Sequence, residues 1–543
     1  MKTVIKYMAF AALSVFLTNC DADFGNINKN PNSVTQMKSE HLFHQIIGNL
    51  GNPMPGEFEY IAPMMQYTAT TNGNYNIPGN TYTIDGTAMS IYSNIWNSYC
   101  KDYLRYLNLI EQKLEEEGGE HASKQAQIDI LKALLLSQFS DTFGPIPFEE
   151  AGRALEGIIY PKYQSEKEVY LGDADTKGVL ALLDESIQQL QTASDALFPD
   201  DILYDGDRAR WIKFASSVLL RSALKISNVE KEVAKTYIDK AMSYGLIRNT
   251  EDMAKVNHEL ATVGKPSYLD NGAAKSLATL KRDRGYCYGE NFILALKSFH
   301  PSMIDPRLKA LAAVYDADGV FYDNYENYVG MRNGCEMDDV EKVIAEYTFD
   351  TDFAPGIGRN GFASFKNETM FNIGAYYIVL GPAEVCFLLA EASWLNLIGG
   401  NAEEYYREGI RKSMESMTYY GYPVEASEID AYIRSLPALG TNRAIHLRDA
   451  QDEIITQKWL SMFTNSMQSW CDWRRTHYPS IITDHPNLNK LGITDHRLPG
   501  RLPFPQDEEV RNKENQAEGV QMLSNRKNDY MNDLWWAKPY FSK

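Results

Sequence analysis

Apolar residues recur every three or four positions through long stretches of this chain, the spacing that lines one face of an α-helix. Ser90 to Lys113 carries Ile91, Ile95, Trp96, Tyr99, Tyr103, Tyr106 and Ile110 in such steps, and Lys124 to Phe143 repeats the pattern with Ile128, Leu131, Leu135 and Phe139. Glu115 to Ser123, containing Gly118 and Gly119, joins the two and predicts a helix hairpin. Further helices are predicted over Val179–Gln191, Arg210–Ile226, Glu230–Tyr244, Pro382–Leu397, Ala402–Tyr419 and Ile454–Phe463. Asp205-Gly206-Asp207 reads as the N-cap of the helix that follows it. Each helix pair runs for about 35 to 45 residues, loosely the tetratricopeptide period, and such pairs bury their apolar faces by stacking on one another.

Two regions break the helical pattern. Residues 62–89 are rich in Thr, Asn, Gly and Tyr, and residues 264–375 in Gly, Asn, Asp and Tyr. Loops this long in a compact domain are functional or disordered, and tyrosine-rich composition argues against disorder. The expected fold is therefore all-α dominated. A tetratricopeptide-like helix-pair scaffold occupies mainly 37–61, 90–260 and 378–470; an irregular, loop-rich half with a few short β-hairpins occupies mainly 62–89 and 264–375.

The N-terminus reads as a targeting segment. Lys2 and Lys6 precede an apolar run, Tyr7–Leu17, that is too short to cross a bilayer as a helix but suits a signal peptide. Leu17-Thr18-Asn19-Cys20 is similar to a bacterial lipobox, in which the cysteine is acylated; Asn19 departs from the usual small residue before it. The expected organisation is a signal peptide over 1–19, a lipid-anchored tether over 20–36 and a single domain over 37–543. The longest later apolar stretch, Ile378–Ile398, carries Glu384 and Glu391, so the chain is expected to be anchored to a membrane rather than threaded through it.

Charge and composition narrow the function. With 53 basic and 72 acidic residues the net charge is −19, which argues against nucleic acid or polybasic lipid binding. The six cysteines are scattered without a Cys-x-x-Cys, so neither a disulfide framework nor a zinc site is expected. The unusual quantity is 34 Tyr, against 22 Phe and 8 Trp, a residue equally suited to half-buried packing and to a surface that holds sugars or peptides.

Most candidate chemical motifs reduce to structure. Gly356-Ile357-Gly358-Arg359-Asn360-Gly361 has the dinucleotide-binding spacing but lacks the flanking strand and helix, and reads as a loop. Asp316-Ala317-Asp318-Gly319 begins like a calcium loop, but Asn327 stands where the closing Glu is needed, so a turn between strands is expected. Glu40, His41 and His44 share a helix start without the H-E-x-x-H pattern. Trp473-Arg474-Arg475, near Trp459, Phe463 and Trp470, reads as a core wall. No local pattern marks the paired carboxylates of a glycosidase. The tyrosines of the irregular regions remain: aromatic faces stack on sugar or peptide groups while Arg and Asn bond hydroxyls or amides. The candidate ligand-binding residues are Tyr75, Tyr82, Tyr286, Tyr288, Tyr322, Tyr325, Tyr328 and Arg332.

An ordered set of motifs carries a family resemblance. Cys20 is followed by Phe24-Gly25-Asn26-Ile27-Asn28-Lys29-Asn30-Pro31-Asn32, Ile95-Trp96-Asn97-Ser98-Tyr99 and Phe139-Ser140-Asp141-Thr142-Phe143-Gly144-Pro145-Ile146-Pro147-Phe148. Pro161-Lys162-Tyr163, Asp205-Gly206-Asp207, Trp211-Ile212-Lys213-Phe214-Ala215, Leu389-Ala390-Glu391-Ala392, Tyr406-Arg407-Glu408-Gly409-Ile410 and Gln457-Lys458-Trp459 come next. Trp470-Cys471-Asp472-Trp473-Arg474-Arg475-Thr476 and Arg501-Leu502-Pro503-Phe504-Pro505 complete the set. Together they resemble the SusD/RagB family of outer-membrane nutrient-binding lipoproteins over nearly the whole chain. The resemblance implies a stack of tetratricopeptide-like pairs carrying a ligand-binding half, a lipid anchor at Cys20 in an outward-facing outer membrane, and Asp21 and Asp23 as part of a surface-export signal. It implies a SusC-like TonB-dependent transporter as partner, an oligosaccharide ligand bound without cleavage, and no cofactor. His477 stands where the family commonly has Gly. The expected function is glycan capture and delivery to the transporter, with peptide binding by the same architecture, or glycoside hydrolysis, as the alternatives.

Overall fold

A computed structural model of the chain describes residues 37–74, 77–81, 86–199, 201–258, 270–315, 320–335, 339–347, 361–482 and 497–542. The signal peptide, Cys20, Asp21 and Asp23, the 316–319 turn and residues 356–360 of the glycine motif lie outside the described residues.

Helices form over each stretch where the apolar spacing predicts one, and others, over Ser39–Leu50, Ala426–Ser435 and Ser466–Thr476, form beyond those stretches. In chain order they are α1 (Ser39–Leu50), α2 (Gly86–Asn97), α3 (Arg105–Glu117), α4 (Ala122–Phe143), α5 (Val179–Thr192), α6 (Arg208–Lys225) and α7 (Lys231–Tyr244). After the irregular half come α10 (Pro382–Trp394), α11 (Ala402–Glu415), α12 (Ala426–Ser435), α13 (Ala450–Ser461) and α14 (Ser466–Thr476). A π-helical stretch, Ser98–Leu104, joins α2 to α3, so the predicted single helix is continuous but changes its winding midway. Asp207 caps α6 by accepting from the Arg210 backbone N–H at 3.1 Å, as its sequence position indicates.

The pairs stack as a tetratricopeptide-like scaffold: α3 against α1, α5 against α4, α7 against α6, and α11 against α10, with α5–α6 and α6–α10 contacts joining successive pairs. The connection through Gly118 and Gly119 closes the expected helix hairpin: Trp96 and Tyr99 pack on Phe139 of α4 at 4.7 and 4.8 Å, and Gln125 of α4 donates to Glu111 of α3 at 2.9 Å. Within it α3 itself also packs on α1, and α4 on α5. The α10–α11 crossing is close because α11 carries Gly409, where a Cβ would stand 2.7 Å from the Phe387 ring.

Buried ion pairs tie the layers together. Arg221 of α6 makes two bonds, 2.7 and 2.8 Å, to Glu384 of α10. Arg475 of α14 does the same to Glu391 of α10 at 2.7 and 2.6 Å. Lys458 of α13 pairs with Asp472 at 2.9 Å, and Lys225 of α6 with Asp141 of α4. Trp459 and Trp470 are fully buried and Arg474 lies 3.7 Å over the Trp470 ring, so the Trp-Arg-Arg segment is a core wall.

The described residues of the irregular half are ordered, as the composition indicates, and carry helices as well as the expected short strands. This half holds several further helices, of which the longest are α8 (Gly272–Arg284) and α9 (Glu290–Ser298), and short strands in small sheets. The strands are β1 (Thr68–Thr70), β2 (Ala254–Val256), β3 (Tyr286–Tyr288), β4 (Ala312–Tyr315), β5 (Phe321–Tyr322), β6 (Ser364–Phe365) and β7 (Tyr377–Leu380). Antiparallel pairs are β1–β3, β2–β7, β4–β5 and β4–β6. Asn271 caps α8 through a 3.1 Å bond from Ala274 N–H, and Ala273, Ala274, Leu277 and Leu280 form its buried stripe.

Candidate ligand-binding surface

The β4–β5 hairpin sets the surface. Its register pairs Tyr315 with Phe321 and Val314 with Tyr322. Side chains alternate along a strand, so Tyr315 and Phe321 share one face and Val314 and Tyr322 the other. The Tyr315 and Phe321 rings lie 5.8 Å apart, and Phe321 is 39% exposed. Tyr322 is half-buried, packed against the main core.

The following turn adds Tyr325, half-buried, 6.5 Å from Phe321 and 5.1 Å from Tyr328. Burial pushes the Tyr325 phenol up to about 12, so it stays neutral at any physiological pH. Tyr328 is fully buried: its hydroxyl donates to the Tyr322 carbonyl at 2.6 Å and accepts from Val314 N–H at 3.3 Å, bracing the hairpin from beneath. The Tyr328 carbonyl accepts from Lys297 of α9 at 2.8 Å.

Other segments extend the surface. Lys366, just past β6, places its ammonium 5.2 Å from the Phe321 ring and 4.6 Å from that of Tyr422. Lys281 of α8 stands 5.1 Å from Tyr315 and 5.4 Å from Phe371. Tyr422 follows the 3₁₀ turn Ser416–Tyr420, which Gly421 ends at φ +90°. Tyr419 of that turn meets Tyr376 edge-on at 5.3 Å, with Lys255 of β2 at 5.1 and 5.4 Å from the two rings. The result is an aromatic ridge of Tyr325, Phe321, Tyr315, Tyr422, Tyr419 and Tyr376, half-buried apart from the more exposed Phe321, edged by lysines. Ring faces of this kind stack on apolar faces of a bound molecule, and phenol and ammonium groups bond its polar edge.

The eight sequence candidates separate. Tyr322 and Tyr325 belong to the hairpin and its turn. Tyr75 and Tyr82 lie outside the described residues. Tyr286 and Tyr288 are removed from any accessible surface, with 2% and 0% exposure, because β3 is covered by β1 and by core aromatics. The Tyr288 ring sits among Phe292, Phe365 and Phe463, and its hydroxyl donates to the Leu311 carbonyl at 3.1 Å. Tyr328 is likewise a strut rather than a contact surface. Arg332 is exposed but paired, 3.0 Å from Glu346 and 3.6 Å from Glu290, and its backbone N–H donates to the Tyr347 hydroxyl at 3.1 Å. Glu290 starts α9 whereas Lys297, next to the hairpin, ends it, so the two locations lie about 10 Å apart along the helix at ~1.5 Å per residue.

Phe321, Tyr315, Tyr422, Lys366 and Lys281 were not among the candidates. Period-two alternation across the 316–319 turn is the signal that picks out Tyr315 and Phe321. Among the described residues no three His, Cys, Asp or Glu side chains come together as a metal site.

A family model for SusD-like proteins, described as starch-binding and associating with the outer membrane, matches residues 31–505. Solved structures share the fold at low identity. A chitin-binding protein aligns at TM-score 0.73 and 22% identity, covering 92% of this chain and 100% of its own. A SusD homolog from Bacteroides uniformis gives 0.71 and 22%, covering 92% and 99%. A chitin-binding SusD homolog from Flavobacterium johnsoniae gives 0.70 and 20%, covering 93% and 100%. No curated protein matches the sequence.

Proposed function

The chain belongs to the SusD-like family, and we propose that it is a cell-surface lipoprotein that captures an oligosaccharide on the aromatic ridge and hands it, uncleaved, to a SusC-like TonB-dependent transporter. The observation that carries the reading is the Tyr315–Phe321 cross-strand pair, aimed away from the core and continued by Tyr325 and Tyr422. Sugar rings present flat C–H faces that stack on such rings, and neutral phenols, Tyr325 included, supply hydrogen bonds without a charge to desolvate. The family description names starch, and two of the structural neighbours are called chitin-binding, which supports a glycan over a peptide.

In this reading Cys20 carries the lipid, the segment to residue 36 is the tether, and 37–543 is one domain. The helix pairs form the scaffold, and the ridge together with Tyr75 and Tyr82 faces the ligand. Among the described residues no helix is long and apolar enough to cross a membrane, which is compatible with attachment through lipid. Holding the chain at the transporter mouth converts capture into a high local concentration of ligand, so each contact can be modest. The test is retention of starch and chitin oligosaccharides set against a peptide mixture. Glycan retention without release of reducing sugar supports the reading. Peptide retention alone, or steady sugar release, overturns it.

A further inference from the structure

Three lysines of the ridge are built alike. Lys255 lies between Tyr376 and Tyr419, Lys281 between Tyr315 and Phe371, and Lys366 between Phe321 and Tyr422, each ammonium 4.6–5.4 Å from both ring centres. All three are half-buried, and none makes an ion pair within the described residues. An ammonium has three protons to donate. Lys366 gives one to the Lys309 carbonyl at 2.9 Å; Lys255 and Lys281 make no hydrogen bond within the described residues. Elsewhere the protein treats such a group differently. Lys225, also set against two rings, Tyr170 and Trp536, is neutralised by Asp141.

Partial burial of a cation without a counter-ion is unfavourable, and ring faces relieve only part of the cost. In agreement, burial lowers the pKa of Lys255, Lys281 and Lys366. Fixed charges near them are few. Glu368 lies toward Lys366 and accepts from the Tyr315 hydroxyl at 3.3 Å; Glu251 lies toward Lys255, as does the cation Arg210; Asp323 lies near Tyr325. Asp316 and Asp318, between β4 and β5 in sequence, lie outside the described residues. The three aromatic pairs are contiguous: Tyr315 neighbours Phe321, Lys366 bridges Phe321 to Tyr422, and Tyr419 and Tyr422 leave the same turn.

We propose that the ligand is an acidic glycan, whose repeated carboxylate or sulfate groups serve as counter-ions to Lys255, Lys281 and Lys366 while its sugar faces lie on the ridge. This rests on the glycan-capture reading and adds to it the ligand's charge. A chain of net charge −19 repels polyanions in general, so such binding requires a local site.

The experiment titrates the full chain with hexamers of galacturonic acid, of a sulfated disaccharide repeat and of N-acetylglucosamine. The uronate and sulfate arms identify which anion is used. The expected result is at least about tenfold tighter binding of one acidic hexamer than of the neutral one at low salt. That margin falls as salt rises from about 20 to about 500 mM, where the Debye length drops severalfold. Lys281→Met with Lys366→Met abolishes the margin, while exposed Lys527→Met, away from the ridge, leaves it intact; melting curves confirm that each variant is folded. Equal or tighter binding of the neutral hexamer, insensitive to salt, overturns the charge assignment and leaves glycan capture standing. Binding of none of the hexamers overturns both.

Discussion

Glu391→Gln separates scaffold from site. Glu391 is fully buried and accepts two bonds from Arg475 and one from Gln451 at 2.8 Å, while Arg475 also reaches Asp472 at 3.3 Å. Breaking a buried pair by neutralising one partner costs ~3–5 kcal/mol, because the other charge is left without its counter-ion. Gln keeps one acceptor and Asp472 still faces Arg475, which puts the cost near the lower figure. With unfolding entropy of ~2 cal/mol/K per residue over roughly 500 residues, about 3 kcal/mol lowers the melting temperature by about 3 °C. Replacing both partners, Glu391→Leu with Arg475→Met, restores most of that loss, since an apolar pair has no charge to desolvate. Calorimetry reads the melting temperature and titration reads affinity for a retained oligosaccharide. The expectation is a lower melting temperature at unchanged affinity. A tenfold loss of affinity with an unchanged melting temperature refutes the assignment of these residues to the scaffold.

Tyr286→Phe removes a buried hydroxyl that has no hydrogen-bond partner among the described residues, so thermal melts should show stability unchanged or raised by up to ~1 kcal/mol, with ligand affinity unaltered; a loss of affinity would restore Tyr286 to the site. Gly330→Ala puts a Cβ 2.3 Å from the Gly289 carbonyl, where the 320–335 segment lies on the start of α9; denaturant unfolding should register a loss of ~1–3 kcal/mol, and titration a weaker ridge. Burial raises Glu57, which accepts from the Ser466 backbone at the start of α14, from 4.5 to about 7. The folded chain therefore holds a proton there that the unfolded chain releases. That contribution, up to about 3 kcal/mol, is full below about pH 4.5 and lost as pH rises through about 7. Melting temperatures from pH 5 to 8 should fall less steeply in Glu57→Gln than in the parent chain.

How much was legible follows from which forces act locally. The scaffold helices are visible because each buries one stripe, and the 3.6-residue period survives any tertiary arrangement. Sequence adjacency also reveals most partners, since α4 meets α5, α6 meets α7 and α10 meets α11; what it misses is the return of α1, distant along the chain, onto α3. Helix α8 was hidden by its charged face, although its Asn271 cap and the stripe through Leu277 and Leu280 were present. At the site, tyrosine content located the region but not the rings that face outward. Ring direction is set by strand register, so the same residue type is core at Tyr288, a strut at Tyr328 and surface at Tyr315. Lys281 and Lys366 carry no local signal, because their aromatic partners come from distant segments that meet only in the fold.

The central claim is that the outward rings of the β4–β5 hairpin and the 416–422 turn hold the glycan. It is tested most directly by titrating one retained oligosaccharide into the parent chain and into Phe321→Ala combined with Tyr422→Ala. Each lost stacking contact is worth ~0.5–1.5 kcal/mol, and ~1.4 kcal/mol is tenfold in affinity. The account predicts affinity lowered by about tenfold or more at an unchanged melting temperature. Unchanged affinity in the doubly substituted chain would contradict it.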